Sequence, residues 1–140
     1  MSRLHSSMAF TEGDTSMATR ATIRTYRHGL GDCHLVSLYG KGKKAFRILI
    51  DCGVILGTPD ARTLMTRVMD DVVKETKGKV DLLVATHEHW DHVSGFGQAA
   101  ESFAKLKADR VWMAWTEDPK DKDAQNLSKS KGEALKLLQG

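Results

Sequence analysis

The feature that most constrains this chain is a run of metal-ligating residues placed directly after an apolar segment. Residues 80–85 (VDLLVA) have the length and the β-branched content of a buried strand, and residues 86–92 (THEHWDH) follow at once. Three histidines and two acids fall within those seven residues. The sequence therefore predicts a strand that delivers a cluster of metal ligands into a loop.

The spacing within this stretch divides the ligands between two ions. Alternate residues of an extended segment project to the same side, so His87 and His89 can bind one ion together. Asp91 and His92 follow where the chain turns toward Gly95, so they can face a second ion. Imidazole suits zinc and iron, and a carboxylate adds manganese. A charged surface turn is the alternative, but four ligands at this spacing after a strand argue against it.

The pattern His87-x-His89-x-Asp91-His92 resembles the HxHxDH signature of the metallo-β-lactamase-fold hydrolases. Upstream, residues 48–53 (ILIDCG) are similar to the strand ending in Asp-x-Gly that precedes the signature in that family. Residues 29–33 (GLGDC) resemble its early glycine-bearing turn, so that the resemblance covers roughly residues 20–116.

The resemblance implies an α/β fold and a position for one further acid. The family is a four-layer αββα sandwich, and this chain would supply its first half, a mostly antiparallel or mixed sheet with flanking helices. Asp51 would then lie just behind the metal site, where a carboxylate orients a ligand histidine or holds backbone N–H groups. A plain cap at the end of the strand is the alternative for Asp51.

A negative feature qualifies this assignment. The family places further ligands later in the chain, a histidine for each ion and a bridging acid, yet no histidine follows His92. We therefore predict the N-terminal half of a domain, present as a fragment of a longer product. A half-domain completed by a partner or by its own copy, as a homodimer, is the less favoured alternative.

The pattern of the chain predicts its organisation. Residues 1–19 are polar and aperiodic, which indicates a disordered tail, with Met1 and Met17 both open as the start; residues 20–140 form the domain. Thr58 and Pro59 are typical of a helix start, and Gly78 of its end. Gly95 and Gly97 would turn the backbone beneath the metals, and a helix would follow over 98–107. Further strands are predicted at 21–27, 34–39, 45–50 and 110–116, and a last helix at 124–139.

Composition and charge favour a particular location and class of partner for the protein. No apolar run is long enough for a membrane span and no export signal is present, so we expect a cytoplasmic protein without a membrane partner. Cys33 and Cys52 are then expected as buried reduced thiols. Residues 1–50 carry eight basic and three acidic side chains, and Lys41, Lys43 and Lys44 cluster at a hairpin tip. This excess is weak support for a nucleic-acid partner.

The predicted activity is metal-assisted hydrolysis, most simply with two Zn²⁺ ions, with manganese or iron as alternatives. A metal-activated hydroxide would attack an ester, thioester, lactone, amide or phosphodiester in a small-molecule or phosphodiester substrate. Asp91 would also be catalytic, by orienting the hydroxide and accepting its proton. Two other hypotheses remain: a nuclease of the same fold acting on RNA or DNA, and a non-catalytic, degenerate half-domain.

Overall fold

A computed structural model describes residues 20–41 and 44–139. The predicted tail, Gly42, Lys43 and Gly140 lie outside the described residues. The strands are β1 Arg20–Thr25, β2 His34–Tyr39, β3 Phe46–Ile50, β4 Lys79–Val80, β5 Leu82–Ala85, β6 Lys107–Ala108 and β7 Val111–Met113. The helices are α1 Ala61–Thr76, α2 Trp90–Gln98, α3 Ala100–Phe103 and α4 Lys122–Gln139, with a 3₁₀ turn at Trp115–Glu117.

The strands form one mixed sheet and one short pair. The order in the main sheet is β1-β2-β3-β5-β7, in which β1, β2 and β3 are antiparallel and β3, β5 and β7 are parallel. β4 and β6 pair in parallel beside it. This confirms the predicted α/β class with a mixed sheet and flanking helices, and it places the apolar strand β3 at the centre as its composition predicts.

Helices α1, α2 and α3 cover one face of the main sheet. Leu35, Leu49 and Leu83 lie side by side on neighbouring strands and are at most 7% exposed. They pack against the apolar stripe of α1, whose members recur at helical spacing. The buried members of that stripe are Met65, Val68, Met69 and Val72. Burying each such side chain contributes about 1.5–3 kcal/mol.

The opposite face of the sheet also carries apolar side chains, and in the described part of the chain it is most exposed on the edge strands β1 and β7. One cross-strand row on it contains Ile50, Val84 and Trp112, and the next contains Ile23, Val36 and Ile48. Ile23 is 68% exposed and Trp112 is 62% exposed. We call these six residues the open face.

Some predicted boundaries are wrong, each for a local reason. Helix α1 begins at Ala61 rather than after a Thr58 cap, because the Thr58 hydroxyl donates to the Ile55 carbonyl at 2.7 Å and closes a turn. The predicted strand 80–85 divides at Asp81, whose backbone N–H and carboxylate both bind Arg47 of β3. The predicted strand 110–116 is shorter than expected, because β7 ends at Met113 and a 3₁₀ turn begins at Trp115.

The structure confirms two further predictions, one for the two cysteines and one for Gly78. Cys33 and Cys52 are free thiols, and both are fully buried. Helix α1 ends at Thr76, and the next two residues, Lys77 and Gly78, adopt the left-handed conformation that ends helices. Among the helices of residues 20–41 and 44–139, none is long and apolar enough to cross a lipid bilayer.

Candidate metal centre

The four predicted ligands lie where β5 ends and α2 begins. His87 follows β5, and His89 is the N-cap residue of α2, with an extended backbone. The carbonyl of His89 accepts hydrogen bonds from the N–H groups of His92 and Val93, at 2.9 and 3.2 Å. Asp91 and His92 therefore lie on the first helical turn, so the expected turn over Gly95 and Gly97 is wrong: both glycines are helical.

The side chains of these residues come together. The ring centroids of His87 and His89 are 4.5 Å apart, and those of His87 and His92 are 4.0 Å apart. An oxygen of Asp91 lies 3.7 Å from Nε2 of His92. His89 is exposed and the other three are half-buried, so the cluster is open to solvent from one side.

Hydrogen bonds fix the orientation of two of the rings. Nδ1 of His92 lies 2.9 Å from a carboxylate oxygen of Asp51, and Nδ1 of His87 lies 3.0 Å from the hydroxyl of Thr86. Both rings therefore keep Nε2 free. A ligand histidine in a metal site ordinarily engages its other ring nitrogen in this way. Three imidazoles and one carboxylate are donor types that suit zinc, manganese or iron. Among the described residues, however, no three of these four predicted ligands bring their donor atoms within 4.8 Å of one another.

Asp51 is placed behind the cluster by an unusual backbone conformation. It is 2% exposed, and its φ of 54° lies in the left-handed region, which aspartate tolerates better than most residues. One carboxylate oxygen accepts a hydrogen bond from the Thr86 N–H at 2.8 Å, and the other from the Thr86 hydroxyl at 2.7 Å. With His92 as a further partner, this buried acid joins the end of β3 to residues 86–92, which we call the ligand loop. Such conformations cost about 1–3 kcal/mol and concentrate at functional sites.

Two upstream turns hold the ligand loop through its backbone. The N–H of Asp32 donates to the carbonyl of Asp91 at 3.0 Å, and the N–H of Cys52 donates to the carbonyl of His92 at 2.8 Å. Gly53 leaves no space for a side chain, because a Cβ there would lie 2.6 Å from the carbonyl oxygen of Asp91. The positions of Asp91 and His92 are thus set by main-chain contacts with both turns.

Residues outside the predicted set also build this region. Asp32, Asp51 and His92 are the one group of three potential ligands whose donor atoms all lie within 4.8 Å in residues 20–41 and 44–139. His28, which is 4% exposed, places its two ring nitrogens 2.8 Å from the carbonyl of Tyr26 and 2.7 Å from that of Gly53. The sequence signal for Asp32 was the glycine-bearing turn, and nothing pointed to His28.

An apolar cavity adjoins His87. Its volume is about 320 Å³, and it lies between α2 and the edge of β7. Its apolar lining comes from Ala85, Val93, Phe96, Met113 and Ala114, with Glu88 and Glu117 beside them. Glu88 forms an ion pair with Lys131 of α4, and this lysine holds the pKa of the Glu88 carboxyl below its usual value. Helix α4 is thereby joined to the ligand loop.

Comparison with known families assigns the chain to one of them. The sequence model of the metallo-beta-lactamase superfamily matches residues 29–127. The chain therefore belongs to the metallo-β-lactamase superfamily, most of whose members are metallohydrolases. A search of curated proteins gave no match, and neither did a search of solved structures.

Proposed function

We propose that this protein is a zinc-dependent hydrolase in which His87 and His89 bind one ion and Asp91 and His92 bind a second. The observation that carries the proposal is the contact of the His87 ring with both other rings, with Nδ1 of His87 and of His92 already engaged. Such an ion would act as a Lewis acid and lower the pKa of its bound water to about 7.

The side chains of the chain itself supply position and a proton acceptor. Asp51 and Thr86 orient His92 and His87, which fixes the direction of Nε2 in each ring. The Asp91 carboxylate is 40% exposed, so water can reach it. We propose that it accepts the proton of the attacking water. The substrate would be an ester, thioester, lactone, amide or phosphodiester.

We also propose that the described fold is half of a larger unit. The open face is the feature that supports it, because a sheet with apolar side chains on both faces ordinarily packs between two layers. The missing ligands would then come from a further segment, from a partner or from a second copy.

Zinc binding tests the site directly. We expect the full chain to bind Zn²⁺ in equilibrium dialysis, and His87→Ala and His92→Ala to weaken that binding at least about tenfold, since each removes a ligand. Asp109→Ala is the control, because this carboxylate pairs with Lys79 outside the site and should leave the affinity unchanged. Equal affinity in all four proteins would refute the metal site.

A panel of chromogenic substrates distinguishes the three functional hypotheses. The zinc-loaded chain would be offered a p-nitrophenyl ester, a thioester and bis-p-nitrophenyl phosphate. We expect the chain to turn over the p-nitrophenyl ester and the thioester. We expect Asp91→Asn to abolish that turnover. Turnover confined to the phosphodiester would favour the nuclease hypothesis, and zinc binding without turnover of any substrate would favour the non-catalytic half-domain.

A further inference from the structure

Asp32 presents a carboxylate to the candidate metal centre without being one of its predicted ligands. It lies in the turn between β1 and β2, and its side chain is 48% exposed. One of its oxygens is 3.5 Å from Nδ1 of His92, and the other is 3.6 Å from Nε2 of His34. The carboxylate therefore lies between two imidazoles, one of which is a predicted ligand.

The backbone holds this carboxylate in register with the ligand loop. The N–H of Asp32 donates to the carbonyl of Asp91, and its carbonyl accepts from the N–H of Gly53, both at 3.0 Å. The preceding Gly31 has a φ of +151°, and a Cβ there would lie 2.9 Å from the carbonyl oxygen of Asp91. The turn thus packs directly on Asp91, so the position of Asp32 relative to His92 does not depend on its own side chain.

The side of the ring that Asp32 faces decides its role. It approaches Nδ1 of His92, whereas Asp91 approaches Nε2 of the same ring. Asp51, the closer partner of Nδ1, shares the same oxygen with the hydroxyl of Thr86. A second carboxylate beside Nδ1 strengthens the negative field on that side of the ring.

We propose that Asp32 is a positioning residue, which acts together with Asp51 on Nδ1 of His92 and so directs Nε2 toward the ion. This inference rests on the proposed metal site. His34 supports the carboxylate from its other side, and its own Nδ1 lies 3.1 Å from the hydroxyl of Thr25. Asp32 is thus a residue of the metal centre through His92 rather than through the metal.

Cobalt binding separates a positioning role from a structural one. The full chain would be titrated with Co²⁺ alone, and both the dissociation constant and the visible absorption spectrum would be recorded. We expect Asp32→Asn and Asp32→Ala to weaken Co²⁺ binding about tenfold and to alter the spectrum, as loss of a partner behind a ligand histidine does. Asp109→Ala is the matched control, because Asp109 is 49% exposed, pairs with Lys79 and lies outside the site.

The outcomes distinguish this inference from the proposed function. The Asn variant keeps the backbone contacts of the turn, so an altered spectrum at an unchanged melting temperature supports positioning. Wild-type affinity and spectrum in both Asp32 variants would overturn the role of Asp32. If His92→Ala loses Co²⁺ binding in the same experiment, the proposed metal site still stands. If His92→Ala and the unaltered chain bind Co²⁺ equally poorly, the metal site and the role of Asp32 both fall.

Discussion

The two faces of the main sheet carry similar side chains but differ in what covers them. On one face Leu35, Leu49 and Leu83 are at most 7% exposed beneath α1, α2 and α3. On the open face Ile23 and Trp112 are more than 60% exposed. The difference does not come from hydrophobicity, because neighbouring residues of one strand, such as Ile48 and Leu49, point to opposite faces.

This contrast shows what the open face contributes. An exposed apolar surface of this extent, on a protein with ordinary composition, is typical of an interaction surface. The ligand loop lies at the end of β5, the strand that contributes Val84 to the open face and Leu83 to the covered one. A layer added on the open face would therefore lie next to the end of the sheet that carries the metal ligands.

The largest expected effect is on the covered face. Leu49→Ala should lower the free energy of unfolding by about 2–5 kcal/mol, because the residue is fully buried and its removal leaves a cavity. Ile48→Ala, one position away on the open face, should cost about 1 kcal/mol, since Ile48 is only half-buried. Urea unfolding followed by circular dichroism measures both; equal losses would mean that the open face is covered in solution.

A smaller effect is expected at the edge of the covered face. Tyr26 donates a hydrogen bond to Asp71 of α1 at 2.8 Å, and burial together with this carboxylate raises the pKa of the phenol. Since the folded state holds the proton more tightly, its stabilising contribution is complete below the unfolded pKa of about 10 and is lost as the pH rises above it.

Replacing this phenol tests the assignment. Tyr26→Phe should cost about 1 kcal/mol at neutral pH and flatten the decline of stability at alkaline pH, as measured by urea unfolding between pH 8 and 11. Tyr39→Phe is the control, because Tyr39 is on the neighbouring strand and the pKa of its phenol is lowered rather than raised. An undiminished alkaline decline in Tyr26→Phe would refute the role of Tyr26.

The smallest effect is expected on the open face. Trp112→Ser should change the free energy of unfolding by about 0.5 kcal/mol or less, as substitutions at exposed positions do. Trp115→Ser is a matched control, since its indole is 61% exposed but lies beyond the end of β7. A larger loss in Trp112→Ser alone, with a melting temperature that rises with protein concentration, would identify a second copy on the open face.

Much of the fold was predictable because its signals are local. The apolar runs around Leu49 and Leu83 predict central strands, and the spacing of Met65, Val68, Met69 and Val72 predicts the face that α1 buries. Helix α2 was not predictable, because Gly95 and Gly97 lie within it and glycine is a poor helix former. Contact of Gly95 with Cys52 and Met65 provides the tertiary packing that overrides this weak propensity.

The candidate site likewise has a part that local sequence predicts and a part that it does not. The spacing of His87, His89, Asp91 and His92 is a local pattern, and it predicts the ligand set without reference to the rest of the chain. The contacts of Asp32 with His92 and of His28 with Gly53 join residues that are far apart in sequence. Their alignment depends on the register of β1, β2 and β3, which no short motif reports.

The main-chain contacts of Asp91 and His92 with the turns at Asp32 and Cys52 also affect how the protein folds. They close loops of about 40 to 60 residues, so their entropic cost is met only when β2, β3 and α2 are already in place. We therefore expect Asp91 and His92 to reach their positions late, after the sheet has formed. An isolated peptide containing residues 86–92 would therefore lack the geometry that the folded chain imposes on the predicted ligands.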